Sequence, residues 1–246
     1  GKEAGAALSS HPDVNQIVFT GSVATGSAIA SAAAKNIVPC TLELGGKSAA
    51  IVYDDADIDN LIDSIRWGIF YNAGQVCSAM SRVIVPQNLH GEISERAGEL
   101  AKSLSVGPGS ERTEFGFNMG SMISELQRDR ALALCQKAQI EGATTVTGGH
   151  KLNRPGWFLE PTVFNNVKPD MEIAQVEVFG PVLSINPHET DEQAISIANG
   201  TEYGLVSGVF TKDLDRAMSS AKKMRAGQVF VNEWFAGGVE TPFGGY

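Results

Sequence analysis

The sequence predicts an α/β fold with a mainly parallel sheet. Three observations carry that expectation. Short apolar runs alternate with helix-like segments along most of the chain. Many of the runs are closed by Gly or Pro, as strands are. Hydrophobic residues make up 43% of the 246 residues, which suits a packed core and excludes disorder as the main state.

The chain opens on a helix-like stretch over residues 1–8. Residues 16–20 form a short apolar run ended by Gly21 and read as a buried strand, and the Ala- and Ser-rich residues 22–35 read as a helix. Strands are expected at 38–44, closed by Gly45-Gly46, and at 49–53. Asp57 caps a helix over 58–70. A strand at 82–85 ends at Pro86, and a helix with a polar face follows at about 91–104. Residues 106–120, with their Pro and Gly, read as a loop. Ser124 caps a long helix to about residue 140. Further strands are expected at 144–147, 182–185, 207–210 and 228–231, with helices at 191–199 and 214–224 between them.

The length allows one large domain or two small ones. Both ends are abrupt, and a parallel sheet with so few early strands would keep an open edge. The expectation is therefore a piece of something longer. No apolar run reaches the roughly 20 residues that a membrane span needs, and no signal-peptide pattern stands at the start. The net charge of −9, without a Lys/Arg cluster, disfavours nucleic acid. The three cysteines, Cys40, Cys77 and Cys135, are widely spaced and the four histidines are scattered, so no metal site is expected. Free thiols point to a reducing, cytoplasmic compartment.

Five segments hold candidate chemistry. Phe19-Thr20-Gly21-Ser22 leads from a strand into a helix, whose N-terminal N–H groups suit a phosphate; an ordinary capped helix is the plainer alternative. In Leu42-Glu43-Leu44-Gly45-Gly46-Lys47-Ser48, alternation puts Cys40, Leu42 and Leu44 on one face and Thr41 and Glu43 on the other. Glu43 sits near a strand end, where active-site groups collect in α/β folds, though a solvated edge Glu would look the same. In Asn72-Ala73-Gly74-Gln75-Val76-Cys77, a Cys in a Gly-containing turn can lie at a helix N-terminus, which lowers a thiol pKa; a small buried hydrophobe is the alternative. Cys40 and Cys135 fit the buried reading better. Glu177-Val178-Phe179-Gly180-Pro181-Val182 reads alone as a turn entering a strand, and Pro242-Phe243-Gly244-Gly245-Tyr246 as a loop.

Taken together and in this order, the five segments resemble the aldehyde dehydrogenase superfamily. Phe158-Leu159-Glu160-Pro161-Thr162 and Gly227-Gln228-Val229-Phe230-Val231-Asn232 strengthen the resemblance, which covers essentially the whole chain. It implies an aldehyde dehydrogenase-like catalytic domain over 46–246 and the end of a Rossmann-like cofactor domain over 1–45, together about the second half of such an enzyme. It implies Cys77 as nucleophile and Glu43 as general base. Gly21 and Ser22 would meet the pyrophosphate of NAD or NADP, Glu177 its ribose, and Phe179 its nicotinamide end. Phe243 and Trp234 would lie by the substrate.

The implied activity is oxidation of an aldehyde to a carboxylic acid through a cysteine thiohemiacetal and thioester. The implied assembly is a homodimer or tetramer of the full-length enzyme. Glu43 favours the hydrolytic branch over CoA-acylating relatives, which generally lack this base. The family's side-chain Asn oxyanion donor and its ribose-binding Lys belong to earlier segments that this sequence does not contain. Two other readings stay open: a thiol esterase or acyl-transfer protein that uses Cys77 and Glu43 without hydride transfer, and a non-catalytic protein on the same scaffold. Glu233 and Glu240 leave room for a cationic substrate.

Overall fold

The structure is a computed structural model that describes residues 1–111 and 118–246. The chain divides into two compact units, Gly1–Gly45 with Gly245, and Gly46–Gly244 with Tyr246.

The first unit contains α1 (Lys2–Ser9), β1 (Ile17–Thr20), α2 (Val23–Ala34) and β2 (Cys40–Glu43). The two strands pair in parallel, with Ile17 opposite Cys40 and Thr20 opposite Glu43. This is the right pairing for a β-α-β crossover, since parallel neighbours need a helix-length connection.

The second unit contains β3 (Ala49–Val52), α3 (Ile58–Phe70), β4 (Arg82–Pro86), α4 (His90–Ser103), β5 (Ser105–Val106), β6 (Asn118–Met119), α5 (Glu125–Ile140), β7 (Thr144–Thr147), β8 (Thr162–Asn165), α6 (Glu172–Gln175), β9 (Val182–His188), α7 (Asp191–Asn199), β10 (Val206–Phe210), α8 (Leu214–Lys223) and β11 (Gln228–Val231). Seven of its strands form one sheet in the order β11-β10-β3-β4-β9-β8-β7. All its pairings are parallel except β7 with β8.

The sheet is covered on both faces. Ala50, Val52, Val83, Val85 and Ile185 face a core shared with Leu61 and Ile65 of α3, Ile93 and Ala97 of α4, and Leu134 of α5. Ala49, Ile51, Ile84 and Val209 face Ala194 and Ile197 of α7 and Ala217 of α8. Strands buried on both sides explain the unbroken apolar runs at β3 and β4.

The capping expectations hold. Asp57 accepts from the Asn60 N–H at 3.1 Å, and Ser124 accepts from the Gln127 N–H at 3.2 Å. Two features differ from the sequence expectation. β8 runs through Thr162–Asn165, and β7 turns antiparallel to it with a register shift at Thr145–Thr147. The expected loop at 106–120 is partly strand, because Ser105–Val106 pairs with Asn118–Met119; residues 112–117 of it lie outside the described residues. No helix among the described residues is long and apolar enough to cross a membrane.

Candidate active site

In the first unit, β1 and β2 end side by side, so their carboxyl ends present Gly21, Ser22 and Glu43 at one edge. The Gly21 N–H donates to the Glu43 carbonyl at 3.0 Å, which ties the turn to the neighbouring strand. Ser22 is the N-cap of α2: its Oγ accepts from the Thr25 N–H at 3.3 Å. Gly26 lets α2 approach closely, since a Cβ there would stand 2.5 Å from Leu44 Cδ2. Leu44 thus turns toward α2, and alternation sends Glu43 the other way. Glu43 is half-buried, and its Oε2 has no hydrogen-bond partner among the described residues.

In the second unit, three motif segments enter adjacent strands. Gly46-Lys47-Ser48 leads into β3, the Gly74–Cys77 turn leads toward β4, and Glu177–Pro181 leads into β9. Because β3, β4 and β9 are parallel neighbours, all three segments arrive at the same edge of the sheet, at the amino ends of its strands. Their backbones touch. A Cβ on Gly46 would stand 2.4 Å from the Cys77 carbonyl oxygen, and one on Gly74 only 2.1 Å from the Gly180 oxygen. The Gly46 N–H donates to Glu177 Oε1 at 3.1 Å. Both close approaches need a residue without Cβ.

The turn before Cys77 is conformationally demanding. Asn72, Ala73 and Gly74 follow one another with φ of 51°, 53° and 68°. The left-handed region costs an L-residue about 1–2 kcal/mol. A side-chain lattice holds the turn: Asn72 Nδ2 donates to the Gln75 carbonyl at 3.0 Å, and Gln75 Nε2 to the Asn72 carbonyl at 3.2 Å. Gln75 Oε1 accepts from the Ile123 N–H at 2.8 Å. Cys77 is half-buried.

One expectation is corrected here. Cys77 does not lie at a helix N-terminus; it occupies a turn, and the next element is β4. Phe179 also has positive φ, 52°, and is partly exposed. Gln127 Nε2 holds its loop by donating to the Val178 and Phe179 carbonyls at 2.9 and 3.0 Å. Of seven non-glycine residues with positive φ among those described, five (Asn72, Ala73, Phe179, Asn232 and Phe235) fall in or beside the candidate segments. Such strain persists where the surroundings over-determine it, most often at functional sites.

Sequence reasoning missed the charges beneath this edge. Lys47 is fully buried, and its Nζ has no hydrogen-bond partner among the described residues. Burial lowers its pKa to about 7, helped by Arg82, while Glu177 and Cys135 pull the other way. Arg82 is itself buried: its Nε donates to the Lys47 carbonyl at 3.0 Å and its two terminal nitrogens to the Ile197 and Ala198 carbonyls at 2.7 and 2.8 Å. Burial raises the Glu177 pKa, opposed by the Gly46 N–H and by Lys47. Burial also pushes the Cys135 thiol up to about 12, so that this cysteine is an inert core residue. The available signal was a lysine directly before the apolar run of β3, where a charged side chain has no wet face to occupy.

Trp234, expected beside the substrate, is largely buried. Its Nε1–H donates to the Ser78 carbonyl at 3.0 Å. It packs over Gly68 and Gly208, where a Cβ would approach it to 3.3 and 2.7 Å. One edge still reaches a cleft of about 530 Å³ lined also by Asp63, Trp67, Tyr71, Glu233 and Phe235. Phe243 is half-exposed in the C-terminal loop, which Gln228 holds by donating to the Pro242 carbonyl at 2.7 Å. No group of three or more His, Cys, Asp or Glu that could hold a metal occurs among the described residues.

Comparison with known proteins gives one consistent result. The family profile described as "Aldehyde dehydrogenase family" matches residues 1–246. An aldehyde dehydrogenase of Emericella nidulans is 43% identical over all of this chain and 49% of its own length. The chloroplastic betaine aldehyde dehydrogenase of Beta vulgaris is 40% identical with the same coverage. An aldehyde dehydrogenase from Bacillus cereus, solved as an NAD+ complex, superposes with a TM-score of 0.96 at 39% identity, over 100% of this chain and 50% of that one. The chain spans about half the length of the curated relatives it matches.

Proposed function

The chain belongs to the aldehyde dehydrogenase family, and from that premise we propose that it oxidises an aldehyde to a carboxylic acid with NAD or NADP, using Cys77 as nucleophile and Glu43 as general base. What supports the reading most is the meeting of Gly46, the Cys77 turn and Glu177 at one edge of the sheet.

The Cys77 sulfur, as thiolate, attacks the aldehyde carbon and forms a thiohemiacetal. The Cys77 backbone N–H donates to the oxygen on which charge develops; such a donor is worth roughly 3–4 kcal/mol. Bound NAD(P)+ supplies the hydride acceptor that lets the thiohemiacetal become a thioester. Glu43 takes a proton from water, whose oxygen attacks the thioester carbon; the C–S bond breaks, and Cys77 returns as thiolate with release of the acid.

The residues suit the cofactor. The N-terminus of α2 with the Ser22 hydroxyl, after Gly21, offers unpaired N–H groups to a pyrophosphate. Glu177, with Oε1 held by the Gly46 N–H, keeps Oε2 as an acceptor for ribose hydroxyls. Phe179 gives an aromatic surface for the nicotinamide end. Phe243 and the exposed edge of Trp234 belong by the substrate. On this reading residues 1–45 close a cofactor domain and residues 46–246 form the catalytic domain. The three free thiols fit a reducing, cytosol-like compartment, and the full-length enzyme is a dimer or tetramer.

The test mixes the protein carrying this chain with an aldehyde and NAD(P)+ and follows absorbance of the reduced cofactor. Reduction that Cys77→Ala abolishes is expected. Ester hydrolysis indifferent to NAD(P)+, with no cofactor reduction, would replace this reading with acyl transfer.

A further inference from the structure

We infer that Lys47 is a positioning residue for Glu177: the proton on its buried amine governs how strongly the carboxylate accepts from the ribose hydroxyls of the cofactor. The inference deepens the dehydrogenase reading and rests on it. Lys47 stands between Gly46 and the apolar run of β3, and two hydrogen bonds fix its surroundings. The Gly46 N–H donates to Glu177 Oε1 at 3.1 Å, and the Lys47 carbonyl accepts from Arg82 Nε at 3.0 Å. Lysines usually run their stems along apolar surface and leave the ammonium in water. Lys47 does not: the residue is 2% exposed, and its Nζ has no hydrogen-bond partner among the described residues. Packing alone would be served by Met or Leu. What the amine adds is a charge that can be present or absent.

Lys47 is faced by Arg82 of β4, Glu177 at the entry to β9 and Cys135 of α5, and Glu177 is faced in turn by Arg130 of α5. Arg82 stays charged near neutrality: burial lowers its pKa only to about 10, and its nitrogens are committed to three carbonyls. The Cys135 thiol stays protonated, its pKa pushed up to about 12 by burial. Lys47 is the group that changes charge near neutrality, because burial, and then Arg82, bring its pKa down to about 7 against the pull of Glu177 and Cys135. Burial raises the Glu177 pKa, and Lys47 is among the groups that oppose it, so each of the two senses the other's charge. With the ammonium present, the carboxylate is compensated from inside the protein. With the amine neutral, Glu177 Oε2 offers an uncompensated charge to hydroxyl donors, and hydrogen bonds to such an acceptor are the stronger ones. Cofactor affinity therefore rises as Lys47 loses its proton, and binding releases part of a proton near pH 7.

The experiment titrates NAD+ and, in parallel, NADP+ against the tryptophan fluorescence of the protein carrying this chain, from about pH 6 to about pH 8.5. The Kd of the cofactor that binds is expected to fall about fivefold across that window, with its midpoint near pH 7. Lys47→Met, which keeps the bulk without the charge, should hold the tight Kd at every pH. Glu177→Gln should bind weakly at every pH. Without cofactor, Glu177→Gln removes a charge that favours the ammonium, so the rise of the urea midpoint with pH should begin at lower pH than in the unsubstituted protein. A flat Kd, a slope that Lys47→Met leaves intact, a Lys47→Met protein that binds weakly throughout, or a stability rise that Glu177→Gln does not move overturns the proposal. Any of those results is compatible with aldehyde turnover. Absence of NAD(P)+ binding and of cofactor reduction instead fails the dehydrogenase reading, and this proposal with it.

Discussion

The two units carry their candidate residues at opposite ends of their strands. In the first, Gly21, Ser22 and Glu43 follow or finish β1 and β2, at the carboxyl ends where α/β sheets usually bind ligands. In the second, Gly46, Cys77 and Glu177 all precede the strands they lead into, at the amino ends of β3, β4 and β9. The first arrangement uses a helix N-terminus and needs little beyond a cap. The second has no helix start at Cys77. It uses close backbone contact and left-handed residues instead, locked by Asn72, Gln75 and Gln127. A site made from strand entries must be held by its neighbours, and it should therefore be more fragile to small changes than one made from a capped turn.

The sharpest test of that contrast is at sulfur. Cys77→Ala is expected to lower aldehyde oxidation at least about a thousandfold, while Cys135→Ala, in the core, keeps the rate within a few-fold; steady-state kinetics with NAD(P)+ measures both. Equal losses would place the chemistry elsewhere. Next comes Gly74→Ala. Its φ of 68° and the Gly180 oxygen 2.1 Å from the new Cβ predict a destabilisation of about 3 kcal/mol or more, read as a shifted urea midpoint. An unchanged midpoint would show the turn to be less constrained than its contacts imply.

Lys47 sharpens the comparison by pH. Folding lowers its pKa from 10.5 to about 7. Between those values the unfolded chain holds a proton that the folded chain has released, so stability rises with pH across that window. Below about pH 7 the folded state bears the full cost of a buried ammonium. Lys47→Met should stabilise the protein at pH 7 by roughly 2–4 kcal/mol and flatten the rise toward pH 10. Urea titrations at several pH values measure it, and a slope that survives the substitution would assign it to another group. Smallest is Ser22→Ala, which removes the cap of α2: about 1 kcal/mol of stability and a weaker KM for the cofactor, with kcat little changed. A falling kcat at constant KM would contradict the pyrophosphate role.

Much of this fold was legible because its signals are local. Asp57 and Ser124 announce α3 and α5, and the apolar runs at β3 and β4 announce strands buried on both faces. Even the order of motifs was readable, since each is a short string. What sequence could not supply was adjacency: Gly46 and Glu177 lie 131 residues apart and meet through the parallel order β3-β4-β9. The left-handed Ala73 was hidden too, because its conformation comes from its neighbours and not from its own preference. The sequence placed Trp234 by the substrate but could not show its second tie: the indole N–H donates to the Ser78 carbonyl, and most of the ring is buried while one edge lines the cleft.

Arg82 links two distant parts of the second unit. Its planar guanidinium bridges the Lys47 carbonyl, just before β3, and the Ile197 and Ala198 carbonyls in the last turn of α7. A lysine in its place would keep the charge but, with a single point of attachment, could not span the three carbonyls that the guanidinium fork ties together.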